Sequence, residues 1–192
     1  MTKPYVQYKR RTKIAALMQK IIDVPRSLRN APKSKRFVYL AGKINKGSDS
    51  TNYRKRIAKL FRDHGLYALD PIRGKYNEER WDRYTDNEVV LRDIQDLKRA
   101  HVIFAVIIND GGFSFGTPCE IALSAMMFHV PIVLVTDIPN LYKHFWARAF
   151  CSRIFLAKEG ELEKTIQEAA MHTIHWYGDD IEDEIYNEPK TL

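Results

Sequence analysis

With 192 residues, 45% hydrophobic and 11% aromatic, the chain can bury one full core but not two ordinary ones, and its composition excludes a disordered protein. Two cysteines exclude a disulfide framework, and neither a bilayer-length apolar run nor a signal-peptide h-region is present, so a reducing, cytoplasmic setting away from membranes is expected. The net charge of +7 is local: residues 1–36 hold 11 of the 31 Lys and Arg but only one acid, Asp23, leaving 20 basic and 23 acidic residues elsewhere.

Residues 1–36 therefore read as a basic extension. Ile14, Leu17, Met18, Ile21 and Ile22 recur at helical spacing, and Pro25 and Pro32 end the pattern. A basic amphipathic helix can meet nucleic acid or a membrane. This one lacks base-reading or stacking features, so packing on its own domain or on a neighbouring subunit is expected instead.

Phe37–Gly42 predicts a first strand, followed by a loop over Lys43–Ser50. Asn52–His64 predicts an amphipathic helix with Ile57, Leu60 and Phe61 on one face, closed by Gly65. Leu66–Leu69 predicts a second strand. Residues 72–85 form a long polar loop, and Asp86–Ala100 returns to helix through Val89, Val90, Ile94 and Leu97.

The stretch from His101 to His129 organises the rest. Val102–Ile108 is an unbroken β-branched run, as in a parallel strand covered on both faces. It breaks into a glycine-rich turn, Asn109–Gly116, and then Thr117 and Pro118 read as N-cap and first residue of a helix. Ligands bind at such carboxyl ends of strands. Glu120, placed in the first helical turn, either complements the helix dipole or serves as a catalytic carboxylate above the crevice. Met126 and Met127 read as core.

Pro131–Thr136 predicts a fourth strand, Ile138–Phe150 an aromatic-rich helical stretch, Arg153–Leu156 a fifth strand and Glu159–His172 a closing helix. Residues 178–192 carry six acids and one Lys, an exposed tail. Strands alternating with helices predict an α/β fold: one Rossmann-like or flavodoxin-like domain, with a five-stranded, mainly parallel sheet flanked by helices. The expected division is a basic extension (1–36), an α/β domain (37–173) and an acidic tail (174–192).

Three stretches, VYLAGKI (38–44), LRDIQDLKRAHVIFAVI (91–107) and FSFGTPCEIALSA (113–125), together resemble the nucleoside 2-deoxyribosyltransferase superfamily. The resemblance implies that Glu120 is the nucleophile, Asp93 the catalytic aspartate and Tyr39 the tyrosine that holds the nucleophile. It implies that Gly42, Ile44 and Gly116 belong to the substrate site, with Gly116 letting substrate approach the backbone. The chemistry requires these types, because a carboxylate can trap an oxocarbenium-like state covalently while a second acid handles the proton.

The chain departs from the pattern at informative places. His101 stands where the family often has Asp, and Asp96 is an extra acid one turn after Asp93. The classical transferases carry a carboxylate six residues before the nucleophile, where this chain has Ser114. That Ser resembles the 2′-deoxynucleoside 5′-phosphate N-hydrolase branch, which uses it to hold the 5′-phosphate. Ser152, within Cys151-Ser152-Arg153, resembles that branch's second phosphate-binding serine, supplied by a neighbouring subunit. Asn140, in contrast, stands where transferases present a substrate-contacting Asn from the partner.

The resemblance therefore implies cleavage of a 2′-deoxynucleoside 5′-monophosphate through a glycosyl-Glu120 intermediate. The alternative is a transferase exchanging bases on deoxyribose. A second alternative is a non-catalytic nucleotide-binding protein whose basic arm binds nucleic acid, but such a binder has no use for the pair of acids. A small-molecule deoxynucleotide or deoxynucleoside and a homo-oligomer with neighbour-completed pockets are expected; a cofactor, a metal or nucleic acid is not. The aromatic run Tyr142, Phe145, Trp146 and Phe150 has the composition of an interface. His172 and His175 share a helical face without an acid or Cys beside them and read as surface residues. Cys119 reads as helix packing.

Overall fold

A computed structural model describes residues 36–44, 50–72, 85–109 and 114–177. The basic arm up to residue 35, the acidic tail from residue 178, most of the loops 43–50 and 72–85, and Asp110 lie outside the described residues. The elements are β1 (Arg36–Gly42), α1 (Ser50–Asp63), β2 (Leu66–Leu69), α2 (Asp86–Arg99), β3 (Val102–Ile107), α3 (Gly116–Leu123, extended by one wide turn, Ser124–Phe128), β4 (Ile132–Thr136), α4 (Pro139–Lys143), α5 (Phe145–Phe150), β5 (Arg153–Leu156) and α6 (Leu162–Tyr177). No helix among them is long and apolar enough to cross a membrane.

The five strands form one sheet in the order β2-β1-β3-β4-β5, every neighbouring pair parallel. The order reverses direction between β1 and β3, which makes their carboxyl ends the switch point of the fold. The β-branched runs predicted for the central strands are buried end to end in β3 and β4, apart from half-buried Ile107. Period-2 alternation sends Val38, Leu40, Val102, Phe104, Val133 and Val135 to one face, where they pack with Ile57 and Phe61 of α1 and Ile166, Ala169 and Ala170 of α6. Tyr39, by the same alternation, points to the face that α2 and α3 cover. On the α1 side the rings of Phe61 and Phe104 meet edge to face at 5.5 Å.

Several expectations shift. The helix expected from Thr117 begins at Gly116 with Phe115 as its cap, so Thr117 is a buried residue of the first turn and not the N-cap. Pro118 is then third in the helix, where its missing N–H is still no loss. Glu120 is fifth, at the start of the second turn. The expectation that Met126 and Met127 form core fails for Met126, which is 63% exposed. The wide turn, closed by the His129 N–H on the Ser124 carbonyl with His129 left-handed (φ 52°), turns Met126 outward and Phe128 inward. The stretch Ile138–Phe150 divides into α4 and α5 because His144 is extended; its carbonyl accepts from Arg148 N–H and starts the second helix. The closing helix starts later, past the Gly160 turn (φ +75°), and runs on to Tyr177.

Candidate active site

The site grows from the carboxyl ends of β1 and β3. Thr85 and Glu88 form a capping box at the start of α2: the Thr85 hydroxyl accepts from Glu88 N–H, and Glu88 Oε2 accepts from Thr85 N–H at 2.8 Å. The box fixes the phase of α2. Ile94, Asp96 and Leu97 are buried as a result, while Asp93 is only partly covered. Asp96, 2% exposed, lies within the helix packing. Asp93 Oδ1 accepts from Arg92 Nη2 at 3.4 Å, and its charge bears on both Tyr39 and Glu120.

Tyr39, fully buried, donates its hydroxyl hydrogen to Glu120 Oε1 at 2.7 Å. Burial raises the Glu120 carboxyl from its ordinary 4.5 to about 7; the Tyr39 hydrogen bond opposes that rise, the Asp93 charge adds to it and the Arg54 cation opposes it. The Tyr39 phenol is pushed well above its ordinary value, by burial first and then by the charge of Glu120, so it stays a neutral donor. Two acids and one fixed donor thus meet on one face of the sheet, with Glu120 poised to change charge near neutral pH.

A cavity of about 190 Å3 lies at the carboxyl end of β3 and the start of α3, lined by Lys43, Asn109, Ser114, Thr117, Pro118 and Ile138 among others. The Ser114 and Thr117 hydroxyls are 3.2 Å apart, and the lining includes no described acid; the Asp137 carboxylate accepts from the N–H of lining Asn109 at 2.8 Å. A methyl group built on Gly116 would meet nothing within 4 Å among the described residues, so they leave the backbone there open to a ligand. Gly42 is the reverse case. A Cβ on it would stand 2.7 Å from the Tyr53 hydroxyl and 3.0 Å from the Val106 carbonyl oxygen, at φ +156°. Ile44, two residues on, is 37% exposed.

Asn140 is exposed on α4, following the carboxyl end of β4. Ser152 lies at the other end of the sheet. Its N–H donates to the Ile132 carbonyl at 2.8 Å and its hydroxyl accepts from Ile132 N–H at 3.3 Å, at the start of β4. It lines an open groove of about 610 Å3 with Lys143, Arg148 and Arg153. The structure therefore brings Tyr39, Asp93 and Glu120 together, with Ser114 and Gly116 on the same α3 loop, and leaves Ser152 away from them. His101 belongs to the amino end as well. Its Nδ1 accepts from Phe37 N–H at 3.1 Å, and burial lowers its pKa, keeping the ring neutral as an acceptor must be. His172 and His175 pack with Trp176, His172 also against Phe155, and no cluster that could hold a metal exists among the described residues.

Sequence reasoning missed Arg54 and Asp70. Arg54 is 1% exposed; Nη1 donates to the Leu40 carbonyl at 2.8 Å and to Asp70 Oδ1 at 3.3 Å, and Nη2 to the Gly42 carbonyl at 2.6 Å. A signal was present, since Arg54 stands three residues before Ile57 and seven before Phe61, in phase with the apolar face of α1.

The family model described as nucleoside 2-deoxyribosyltransferase matches residues 38–174. Among solved structures, the 2-deoxyribosyltransferase of the psychrotolerant bacterium Bacillus psychrosaccharolyticus is 18% identical with a TM-score of 0.51, over 66% of this chain and 90% of that one. A conserved protein from Enterococcus faecalis V583 is 12% identical with a TM-score of 0.51, over 70% of this chain and 98% of that one. These two likenesses are of fold. No curated protein matches the sequence. The family match spans the strands and helices that carry Tyr39, Asp93 and Glu120, and the chain belongs to the nucleoside 2-deoxyribosyltransferase family, a family of glycosyl-transferring enzymes.

Proposed function

We propose that the chain cleaves the N-glycosidic bond of a 2′-deoxynucleoside 5′-monophosphate, yielding free base and deoxyribose 5-phosphate. Ionised Glu120 attacks C1′ as the bond to the base breaks, and Asp93 manages the proton that the departing base takes up. Water then attacks C1′, loses a proton and releases the Glu120 carboxylate. Tyr39 holds Glu120 in line by its 2.7 Å hydrogen bond. Gly116 gives the sugar access to backbone, and Gly42 lets Tyr53 and Val106 close in behind the end of β1.

One observation carries the choice of monophosphate over nucleoside: the cavity at the start of α3 is lined by Ser114, Thr117 and Lys43 and by no described acid. A phosphate brings nearly two negative charges, which hydroxyls and an ammonium accept and an acid repels. In the same reading, Ser152 and Asn140 serve the pocket of a neighbouring copy, since Ser152 is remote from Glu120 within one chain.

Base release from matched monophosphates and nucleosides tests the reading. The monophosphate should turn over much faster. Ser114→Ala should weaken it selectively by about 1.5–3 kcal/mol, the strength of a hydrogen bond to a charged group. Ser114→Asp should repel it and recover use of the nucleoside. Equal rates on both donors, or base exchange outrunning hydrolysis when a second base is added, would assign the chain to the transferase branch.

A further inference from the structure

Parallel pairing leaves a gap in the sheet beside the site. β2 pairs with β1 only from Arg36 to Tyr39, against Leu66 to Leu69, whereas β1 continues to Gly42 alongside β3. Past Tyr39, the side of β1 that faced β2 has no strand partner. Carbonyls two residues apart on a strand point the same way, so Leu40 and Gly42 both present acceptors on one side. Buried acceptors need donors. The Arg54 guanidinium fills this need with bonds of 2.8 and 2.6 Å, and its charge is met by Asp70, the first residue past β2, at 3.3 Å. Asp70 Oδ1 also accepts from Ile72 N–H at 3.2 Å, so the anion is itself held.

We propose that Arg54 is a positioning residue for the glycosyl transfer: its guanidinium stands in for the missing strand and holds the Tyr39–Gly42 end of β1 in register with Glu120. Two consequences follow from the placement. The planar fork satisfies two carbonyls and a carboxylate at once, which a lysine ammonium cannot reproduce geometrically. The buried cation also acts at a distance on Glu120, favouring its ionised form against the desolvation that opposes it. Arg54 is buried with its bonds spent on β1 and Asp70, and acts through β1 and through its charge. The role rests on Glu120 being the nucleophile, and extends that assignment by naming what sets Glu120 in place.

The experiment compares wild type, Arg54→Lys and the double variant Arg54→Gln/Asp70→Asn. The double variant removes both charges together, so neither is left buried alone. Circular dichroism and melting establish that each is folded. Base release is then followed against pH on whichever deoxyribosyl donor the wild type cleaves. Wild-type turnover and its loss in Glu120→Ala test the reading of the site; the variants test Arg54 separately. Arg54→Lys should keep the acid limb of kcat/KM in place and lower kcat by roughly 10²-fold, the cost of a misplacement near 1 Å. The double variant should also move the acid limb to higher pH. A purely structural role would lower the folded fraction and leave kcat per folded molecule and the acid limb unchanged. Folded variants with wild-type kcat and an unmoved limb would overturn the proposal.

Discussion

The two ends of the sheet use polar residues in opposite ways. At the amino end, His101 accepts from Phe37 N–H, Ser152 bonds both the N–H and the carbonyl of Ile132, and Arg36 donates to the Tyr177 carbonyl. His101 and Ser152 satisfy backbone at strand starts, and Arg36 satisfies the last carbonyl of α6. At the carboxyl end Arg54 does the same for β1, but Tyr39 donates to Glu120, the charges of Asp93 and Glu120 oppose one another, and none of the three satisfies a strand. Such an arrangement costs stability and is retained where chemistry needs it.

Substitutions should separate the two ends, beginning with the largest effect. Glu120→Ala should lower base release by roughly 10³-fold or more while the protein stays folded. Asp93→Asn should cost roughly 10²–10⁴-fold, the range of a lost proton-transfer group, and Asp96→Asn much less per folded molecule. His101→Ala, at the amino end, should change stability without changing kcat. Near-normal base release by folded Glu120→Ala would erase the distinction.

Next in size is Gly42→Ala. Its Cβ would enter the space held by the Tyr53 hydroxyl and the Val106 carbonyl, at a φ that L residues avoid. Overpacking of this kind costs about 1–3 kcal/mol, which lowers Tm by roughly 2–4 °C per kcal/mol in a chain this long. Gly116→Ala, with nothing within 4 Å of its Cβ, should leave Tm nearly unchanged and reduce substrate binding. A Gly116→Ala variant with wild-type KM would show that ligand does not approach that backbone.

The smallest effect is a sign. Glu120 is raised from 4.5 to about 7, so its folded form prefers the proton; its contribution is complete below pH 4.5 and lost as pH rises to about 7. Glu120→Gln should therefore gain stability over wild type as pH rises through that window, by at most about 3 kcal/mol. His101 is lowered from 6.5, so its contribution is present above 6.5 and lost as pH falls. The two variants should give stability differences that slope in opposite directions with pH. Parallel slopes in chemical denaturation would contradict the contrast.

Much of this was legible in the sequence. The β-branched runs of β3 and β4 and the helical phase of α1 and α2 gave the sheet and its coverings, because buried parallel strands leave an unambiguous apolar signature. Tyr39 and Glu120, 81 residues apart, came from motif resemblance, and their 2.7 Å contact follows from strand alternation and the α3 phase together. Helix starts were less legible: Thr117 looked like a cap, yet the turn before it closes one residue earlier. The wide turn at Ser124–Phe128 has no sequence mark, so Met126 was misassigned to the core. Arg54 was hidden for another reason. A basic residue on a helix reads as solvated until the unpaired carbonyls it serves are seen.

The central claim is a covalent bond between Glu120 and the sugar. Rapid quenching of wild type with a 2′-deoxynucleoside 5′-monophosphate, followed by intact mass and peptide mapping, measures it directly. The account predicts a deoxyribose 5-phosphate adduct on the peptide containing Glu120, formed together with free base and absent in Glu120→Ala. Base release with an adduct on another residue, or undiminished release by Glu120→Ala with no adduct at all, would contradict it.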